Sequence, residues 1–353
     1  MLSGYYGYDN AGDEAVLSAI LTHISAQTPN VQFVVTSGAP AQTEAMHASL
    51  KGLTEYSLRA VLRDDFKTLW REIKACDAFI SGGGSLLQDV TSLRNIVYYT
   101  GLIRLAHLAR KPVMIYAQGI GPLQKSVSQK LTRAALNSRS TRVITVRDPE
   151  SKALLERIGV RKNIEITADP VWALEPQNQK SKIKNQNPVW CVSLRSWLHK
   201  STPDAEKRLL DAIREAAKKQ NATLKFLAMQ PARDRALMES LGVENREILE
   251  TENLHPREIM RLAGECDLMI AMRLHALIFA AAQGVPCVAV SYDPKVASLA
   301  KLIGAPVISD ASESELAKLH ATHSIAPPST SVIAQMQAQA RRNAELASQI
   351  SSS

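Results

Sequence analysis

The chain has 353 residues, of which 45% are hydrophobic and 22% charged, a balance ordinary for a soluble globular protein and a length sufficient for two domains. No apolar run reaches transmembrane length and no signal peptide is visible, so a cytoplasmic protein is expected rather than an exported or membrane-spanning one. The four cysteines are scattered without a CxxC pair, which excludes a zinc site or a disulfide framework as an expectation and leaves buried reduced thiols.

The formal net charge is +8, which points to an anionic partner. There is no basic run with interleaved aromatics, so nucleic acid is not expected. Anionic small substrates fit, as does an anionic membrane surface carrying a lipid-linked substrate, with peripheral contact to the membrane.

Met1–Ser3 reads as the tail of a first strand that would begin further upstream. Gly4 and Gly7 allow a tight turn before the apolar series Ala15, Val16, Ala19 and Ile20, which has helical spacing. Asn10 and Asp13 in GYYGYDNAGDEA either cap that helix or face a ligand, and the two roles are compatible. The glycine spacing is not the G-x-G-x-x-G of dinucleotide binders, so NAD is not expected. Val31–Thr36 is a strand; Thr43–Leu50 and Leu58–Ile73 read as helices. A strand at Asp77–Ile80 runs into Ser81-Gly-Gly-Gly-Ser-Leu-Leu-Gln-Asp89, where three successive glycines imply close approach by a ligand or a neighbouring element. Helix Ile96–Ala109 leads to strand Val113–Ala117 and the glycine-bearing loop Gln118–Pro122. Helix Ser128–Ser138, strand Val143–Val146 ending at Arg147-Asp148, helix Ser151–Ile158 and a short strand Ile164–Thr167 complete the first half. In a parallel sheet the loops after these strands share one edge, the expected mouth of a site.

Glu175–Pro188 is polar, lacks an apolar pattern and is bracketed by prolines, as a linker is. Strand Val189–Leu194 then ends at Arg195. Helix Ala205–Gln220 follows, with an apolar stripe at Leu209, Leu210, Ile213, Ala216 and Ala217. Next come strand Leu224–Met229 and helices Arg233–Leu241 and His255–Ala263. Cys266–Ser291 reads as one compact β-α-β unit: strand Leu268–Met272, alanine-rich helix Leu274–Gln283, a stop at Gly284 and strand Pro286–Val290. Arg273 and His275 sit at its strand-to-helix junction, where parallel-sheet proteins place ligands. There an arginine can clamp an anion and a histidine can move a proton near neutral pH. Helix Val296–Ile303, strand Pro306–Ile308 and a terminal helix Ser331–Gln349 close the chain.

The fold class expected is α/β, with two Rossmann-like doubly wound domains facing across a cleft. The domains are residues 1–174 and 189–330, with a linker at 175–188 and a helix within 331–353 packing back. GYYGYDNAGDEA, SGGGSLLQD, YAQGIGP, VRD, SLR and MRLHALIFA-x5-P, in that order along nearly the whole chain, resemble the polysaccharide pyruvyl transferase family, and most of all its bacterial cell-wall branch of CsaB type. The resemblance implies a GT-B-like fold and phosphoenolpyruvate as donor; no Asp/Glu/His cluster has ligand spacing, so no metal or cofactor is expected. It also implies a sugar hydroxyl pair as acceptor, N-acetylmannosamine of a lipid-linked or polymeric cell-wall glycan. The products are then a pyruvate ketal, which in that branch helps anchor surface-layer proteins, and phosphate. By the same resemblance Arg195, Arg273, Leu274 and His275 hold the donor, with Arg195, Arg273 and His275 catalytic. Tyr6, Asp9, Asn10, Asp13, Gly83, Gly84, Gln88 and Arg147 would carry the acceptor side, with Asp13 a candidate base. Two alternatives stand beside it: a GT-B glycosyltransferase that sets Arg273 on a nucleotide-sugar diphosphate, and a non-catalytic binder of an anionic glycan.

Overall fold

The computed structural model describes residues 1–48, 56–90, 92–177, 187–196, 204–291 and 293–350, with the backbone alone at 321, 323 and 324. Residues 178–186, most of the expected linker, and 49–50, the end of an expected helix, lie outside the described residues. The chain forms two compact units. The first comprises Met1–Asp9, Asp13–Leu174 and the chain from Met336 onward; the second comprises Asn10–Gly12 and Glu175–Gln335.

The first unit runs β1 (Leu2–Ser3), α1 (Ala11–Gln27), β2 (Val31–Ser37), α2 (Pro40–Ala48), β3 (Tyr56–Leu62), α3 (Phe66–Ala75), β4 (Phe79–Ser81), α4 (Leu93–Leu108), β5 (Val113–Gln118), α5 (Ser126–Leu136), β6 (Thr141–Val146), α6 (Pro149–Arg157) and β7 (Glu165–Ile166). Its seven strands are all parallel in the order β3-β2-β1-β4-β5-β6-β7. Apolar side chains from the sheet, such as Phe79, Ile115 and Ile144, pack in one core with Leu69 and Ile73 of α3, Ile96 and Ile103 of α4, Leu136 of α5 and Leu155 of α6.

One expectation is corrected. Leu58–Ile73 is not a single helix, because Tyr56–Leu62 is a strand and the helix begins at Phe66. Leu58, Arg59 and Ala60 favour helices in isolation. The full-length pairing of β3 with β2, from Val31↔Tyr56 to Ser37↔Leu62, outweighs that preference. Asp65 then caps α3 by accepting from the Thr68 N–H (3.1 Å).

The second unit runs β8 (Val189–Ser193), α7 (Ala205–Lys219), β9 (Thr223–Leu227), α8 (Pro231–Ser240), β10 (Ile248–Leu249), α9 (Pro256–Gly264), β11 (Leu268–Ala271), α10 (Leu274–Ala281), β12 (Cys287–Val290), α11 (Pro294–Ile303), β13 (Val307–Ile308) and α12 (Glu313–Leu316). It too is parallel, in the order β10-β9-β8-β11-β12-β13. The two-residue strand β10 is absent from the sequence-based expectations; it is too short to carry a pattern. In both sheets chain order reverses beside the first strand, β1 or β8. Each unit thus has the strand order of a Rossmann fold and its own switch point.

The last helix, α13 (Thr330–Ser348), is mostly polar and alanine in sequence, and it buries Asn343 completely. The Asn343 amide accepts from the Thr167 hydroxyl (2.8 Å) and donates to the Ala168 carbonyl (3.2 Å), while Arg342 pairs with Glu165 (3.0 Å). Asn343→Ala leaves the Thr167 hydroxyl and the Ala168 carbonyl without this partner. Urea unfolding is expected to show a loss of about 1–3 kcal/mol, against less than that for Arg342→Ala on the half-exposed pair.

Candidate active site

In the second unit the switch point lies between β8 and β11. Their register pairs Ser193 with Ala271, and the Met272 N–H donates to the Ser193 carbonyl (2.9 Å). Beyond that point the Arg195 N–H reaches the Met272 sulfur (3.4 Å). Arg195 and Arg273 therefore leave neighbouring strand ends although they are far apart in sequence. Arg273 keeps an extended backbone (φ −85°, ψ 122°) as the N-cap of α10, so Leu274 and His275 open that helix's first turn. Their N–H groups lack intrahelical acceptors and carry the positive end of the helix dipole.

The Arg273 side chain is largely buried and forms an ion pair with Asp234, itself only 2% exposed. The same carboxylate accepts the N–H groups of Met229 (3.0 Å) and Gln230 (2.9 Å) at the start of α8. Asp234 thus fixes its own helix end and the guanidinium together. One Arg273 nitrogen, Nε, is buried with no hydrogen-bond partner among the described residues, and so is the Ser193 hydroxyl. A buried cationic donor in that state is costly unless an anion completes it. Arg195, at the neighbouring strand end, is exposed. A helix start, a buried guanidinium and a second arginine on the neighbouring strand end give this junction the chemistry that suits an anion.

His275 is half-buried and lies against Gly12: a Cβ built on Gly12 would come within 2.2 Å of the imidazole Nδ1. Only glycine leaves room for this ring. Asn10, expected with the residues of the first half, belongs with this second unit; its side-chain oxygen accepts from the Gly12 N–H (3.1 Å).

In the first unit the switch point lies between β1 and β4, and the flagged residues there divide into two groups. Tyr6 is 1% exposed, packed where Gly4 and Gly82 have no side chains. Burial pushes its phenol well above the ordinary range, and the charges of Asp13 and Glu14 push the same way. Gly83 packs against Val16 and Pro170. Those residues shape the loop from beneath. Gly84, at φ +88°, has a backbone conformation suited to glycine, and its Cβ position lies 3.2 Å from an Asp13 carboxylate oxygen. Asp13 is half-buried above it, and Asp9 also has a left-handed backbone (φ 53°). Gln88 turns back on its own loop, accepting from the Val90 N–H (2.8 Å).

Arg147 lies at the end of β6 against Gly119, in a buried ion pair with Asp169 (2.6 Å), and donates to the Ser85 hydroxyl (3.1 Å). It ties the β4 and β6 loops together. Gln118, fully buried, does the same between β4 and β5. Its amide donates to the Ser81 hydroxyl (2.8 Å) and the Gly82 carbonyl (2.9 Å), from a strand irregularity after Ile115.

Sequence reasoning passed over Asp234, Asp169, Glu14 and Gln118 as site-forming residues. Gln118 carried a signal, its place in a strand-end glycine loop, and so did Asp169, just after the short strand expected at Ile164–Thr167. Glu14 accepts the Gly7 N–H (2.7 Å) and contacts His47 Nε2 (3.1 Å), which pins the first glycine-rich loop from below. Among the described residues no group of three or more His, Cys, Asp or Glu side chains is placed to hold a metal ion.

The chain is similar in structure to UDP-GlcNAc 2-epimerase from Methanocaldococcus jannaschii, with a TM-score of 0.65 at 13% identity over 99% of both chains. It is likewise similar to the Neisseria meningitidis UDP-GlcNAc 2-epimerase bound to UDP-GlcNAc (0.61, 12%, covering 99% of this chain and 98% of that one). An Arabidopsis thaliana protein solved with UDP gives 0.59 at 10% over 99% of both. At such identities these likenesses show the fold, which is GT-B-like, and nothing of the substrate. No curated protein matches the chain by sequence. A family model described as polysaccharide pyruvyl transferase matches residues 10–294.

Asp234→Ala strands a buried guanidinium and two N–H groups at once. Denaturant unfolding is expected to show a loss of about 3–5 kcal/mol, whereas Arg195→Ala, at an exposed position, changes stability by less than about 0.5 kcal/mol.

Proposed function

This chain belongs to the polysaccharide pyruvyl transferase family, and from that membership we propose that it transfers pyruvyl from phosphoenolpyruvate to a pair of sugar hydroxyls. The observation that carries the donor assignment is the buried, unsatisfied Arg273 Nε at a strand end shared with Arg195. Phosphoenolpyruvate has a carboxylate and a phosphate, and two fork-shaped guanidiniums with a helix start match both. The acceptor we propose is N-acetylmannosamine of a lipid-linked or polymeric cell-wall glycan, as the CsaB-type motifs imply. The enzyme would then act in the cytoplasm, on the inner face of the membrane.

The chemistry required is specific. A proton adds to the donor's methylene, turning it into a methyl group and leaving a cationic carbon. One sugar hydroxyl bonds to that carbon and gives up its proton. The bond to the phosphate oxygen breaks, and the second hydroxyl closes the ring of the ketal. Of its two hydroxyl protons, one balances the proton taken up by the methylene and the other leaves with phosphate. His275 supplies the proton to the methylene or to the departing phosphate. Arg195 and Arg273 hold the two anionic groups and compensate charge as phosphate departs. Asp13 is the candidate base for the acceptor hydroxyl.

The direct test is phosphate release from phosphoenolpyruvate, with and without a β-N-acetylmannosaminyl acceptor, and the mass of the sugar product. Acceptor-dependent release with a ketal's added mass supports the whole reading. Saturable donor binding without release rejects the acceptor, and turnover of a UDP-sugar in place of phosphoenolpyruvate rejects the donor. In the same assay His275→Ala is expected to bind donor normally and turn over about 10²–10⁴-fold more slowly. Gly12→Ala, which forces the imidazole aside, should lower kcat in the same direction with little change in donor binding. Arg273→Ala and Arg195→Ala should weaken donor binding about 10–100-fold each, the worth of a charged hydrogen bond.

A further inference from the structure

The positive charge of this protein is not spread evenly. Residues 90–147 hold ten of the 42 basic side chains and none of the 34 acidic ones, so the remaining 32 basic and 34 acidic side chains nearly cancel. Much of the segment is the adjacent pair α4 and α5, which pack side by side on the same core. The outer stripe of α4 runs Arg94, Val97, Arg104 and Leu108, at helical spacing, and all four are exposed. The outer side of α5 carries Val127, Lys130 and Arg133, also exposed. Among the described residues none of Arg94, Arg104, Lys130 and Arg133 forms an ion pair with a carboxylate. Interleaved with them are large aliphatic side chains turned to solvent: Val97 is 54% exposed, Leu108 70% and Val127 52%.

We propose that the outer face of α4 and α5 docks on an anionic lipid bilayer. Basic side chains meet the charged headgroups, and Val97, Leu108 and Val127 enter the interface between them. The missing carboxylates remove the repulsion that an acidic surface would otherwise meet. The exposed aliphatic groups favour a bilayer over nucleic acid, where stacking aromatics would be the expected companions of the charge. No helix among the described residues is long and apolar enough to cross a membrane, so the contact is peripheral. This surface is separate from the residues proposed for pyruvyl transfer.

Flotation with vesicles tests it without donor or acceptor, so its outcome is independent of the reaction assigned above. The protein should float with vesicles of mixed phosphatidylglycerol and phosphatidylcholine and remain at the bottom with phosphatidylcholine alone. Each basic residue near such a surface is worth about fivefold in partitioning, so neutralising Arg104, Lys130 and Arg133 together to Gln should lower it about 100-fold. Reversing them to Glu should abolish it. A matched triple on the second unit, Lys218→Glu, Lys219→Glu and Lys301→Glu, should retain most of it. Val97→Asp with Val127→Asp should remove the part of the binding that survives high salt. Equal loss in both triples, equal binding to neutral vesicles, or binding to duplex DNA but to no vesicle would each overturn the proposal.

Discussion

Two neighbouring parallel strands, β8 and β11, set the terms for the donor site proposed for this protein. Parallel strands cannot be joined by a tight turn, so the chain travels through α7, β9, α8, β10 and α9 before β11 pairs with β8. The return places Arg273 next to Arg195 at a point where helices leave on either side and the sheet edge is open. The same crossover delivers Asp234, whose carboxylate holds the Arg273 guanidinium and the start of α8 together. The junction proposed to hold the donor thus depends on backbone topology first and on side-chain chemistry second.

The first unit repeats the strand order with a different filling. Its switch point is crowded from below by Tyr6, seated over Gly4 and Gly82, and is braced by Glu14, Gln118 and the buried Arg147–Asp169 pair. Such pairs add little net stability beyond well-packed apolar residues, but they hold loops in one arrangement. Asp9 and Asp13 are half-buried on these loops, with Gly84 against Asp13. One unit therefore presents cationic strand ends and the other acidic and glycine-rich ones.

Charge outside the strand ends follows a separate logic. The acid-free stretch from Val90 to Arg147 contributes both buried and exposed cations. Arg147 is neutralised inside the fold by Asp169, while Arg94, Arg104, Lys130 and Arg133 are set on the outside of α4 and α5. Net charge alone could not distinguish these uses, because it counts a buried ion-paired arginine and a solvated one alike.

The sequence by itself determined the alternation of strands and helices, the doubly wound class and the strand-to-helix junctions that carry the polar residues. Hydrophobic period, glycine and proline positions and strand-end polar residues are all local signals. It located Arg195, Arg273 and His275 because each directly follows a buried apolar strand or opens the next helix. It misjudged Leu58–Ile73, where local helix preference and the β2 pairing disagree, and it did not register β10. Tertiary structure alone decided that Asp234 anchors Arg273, that Gly12 makes room for His275, that Arg147 is spent on Asp169, and that α4 and α5 share an outer face. Each of those depends on residues distant in sequence and brought together by parallel pairing, and no local pattern encodes which distant carboxylate a buried guanidinium will meet.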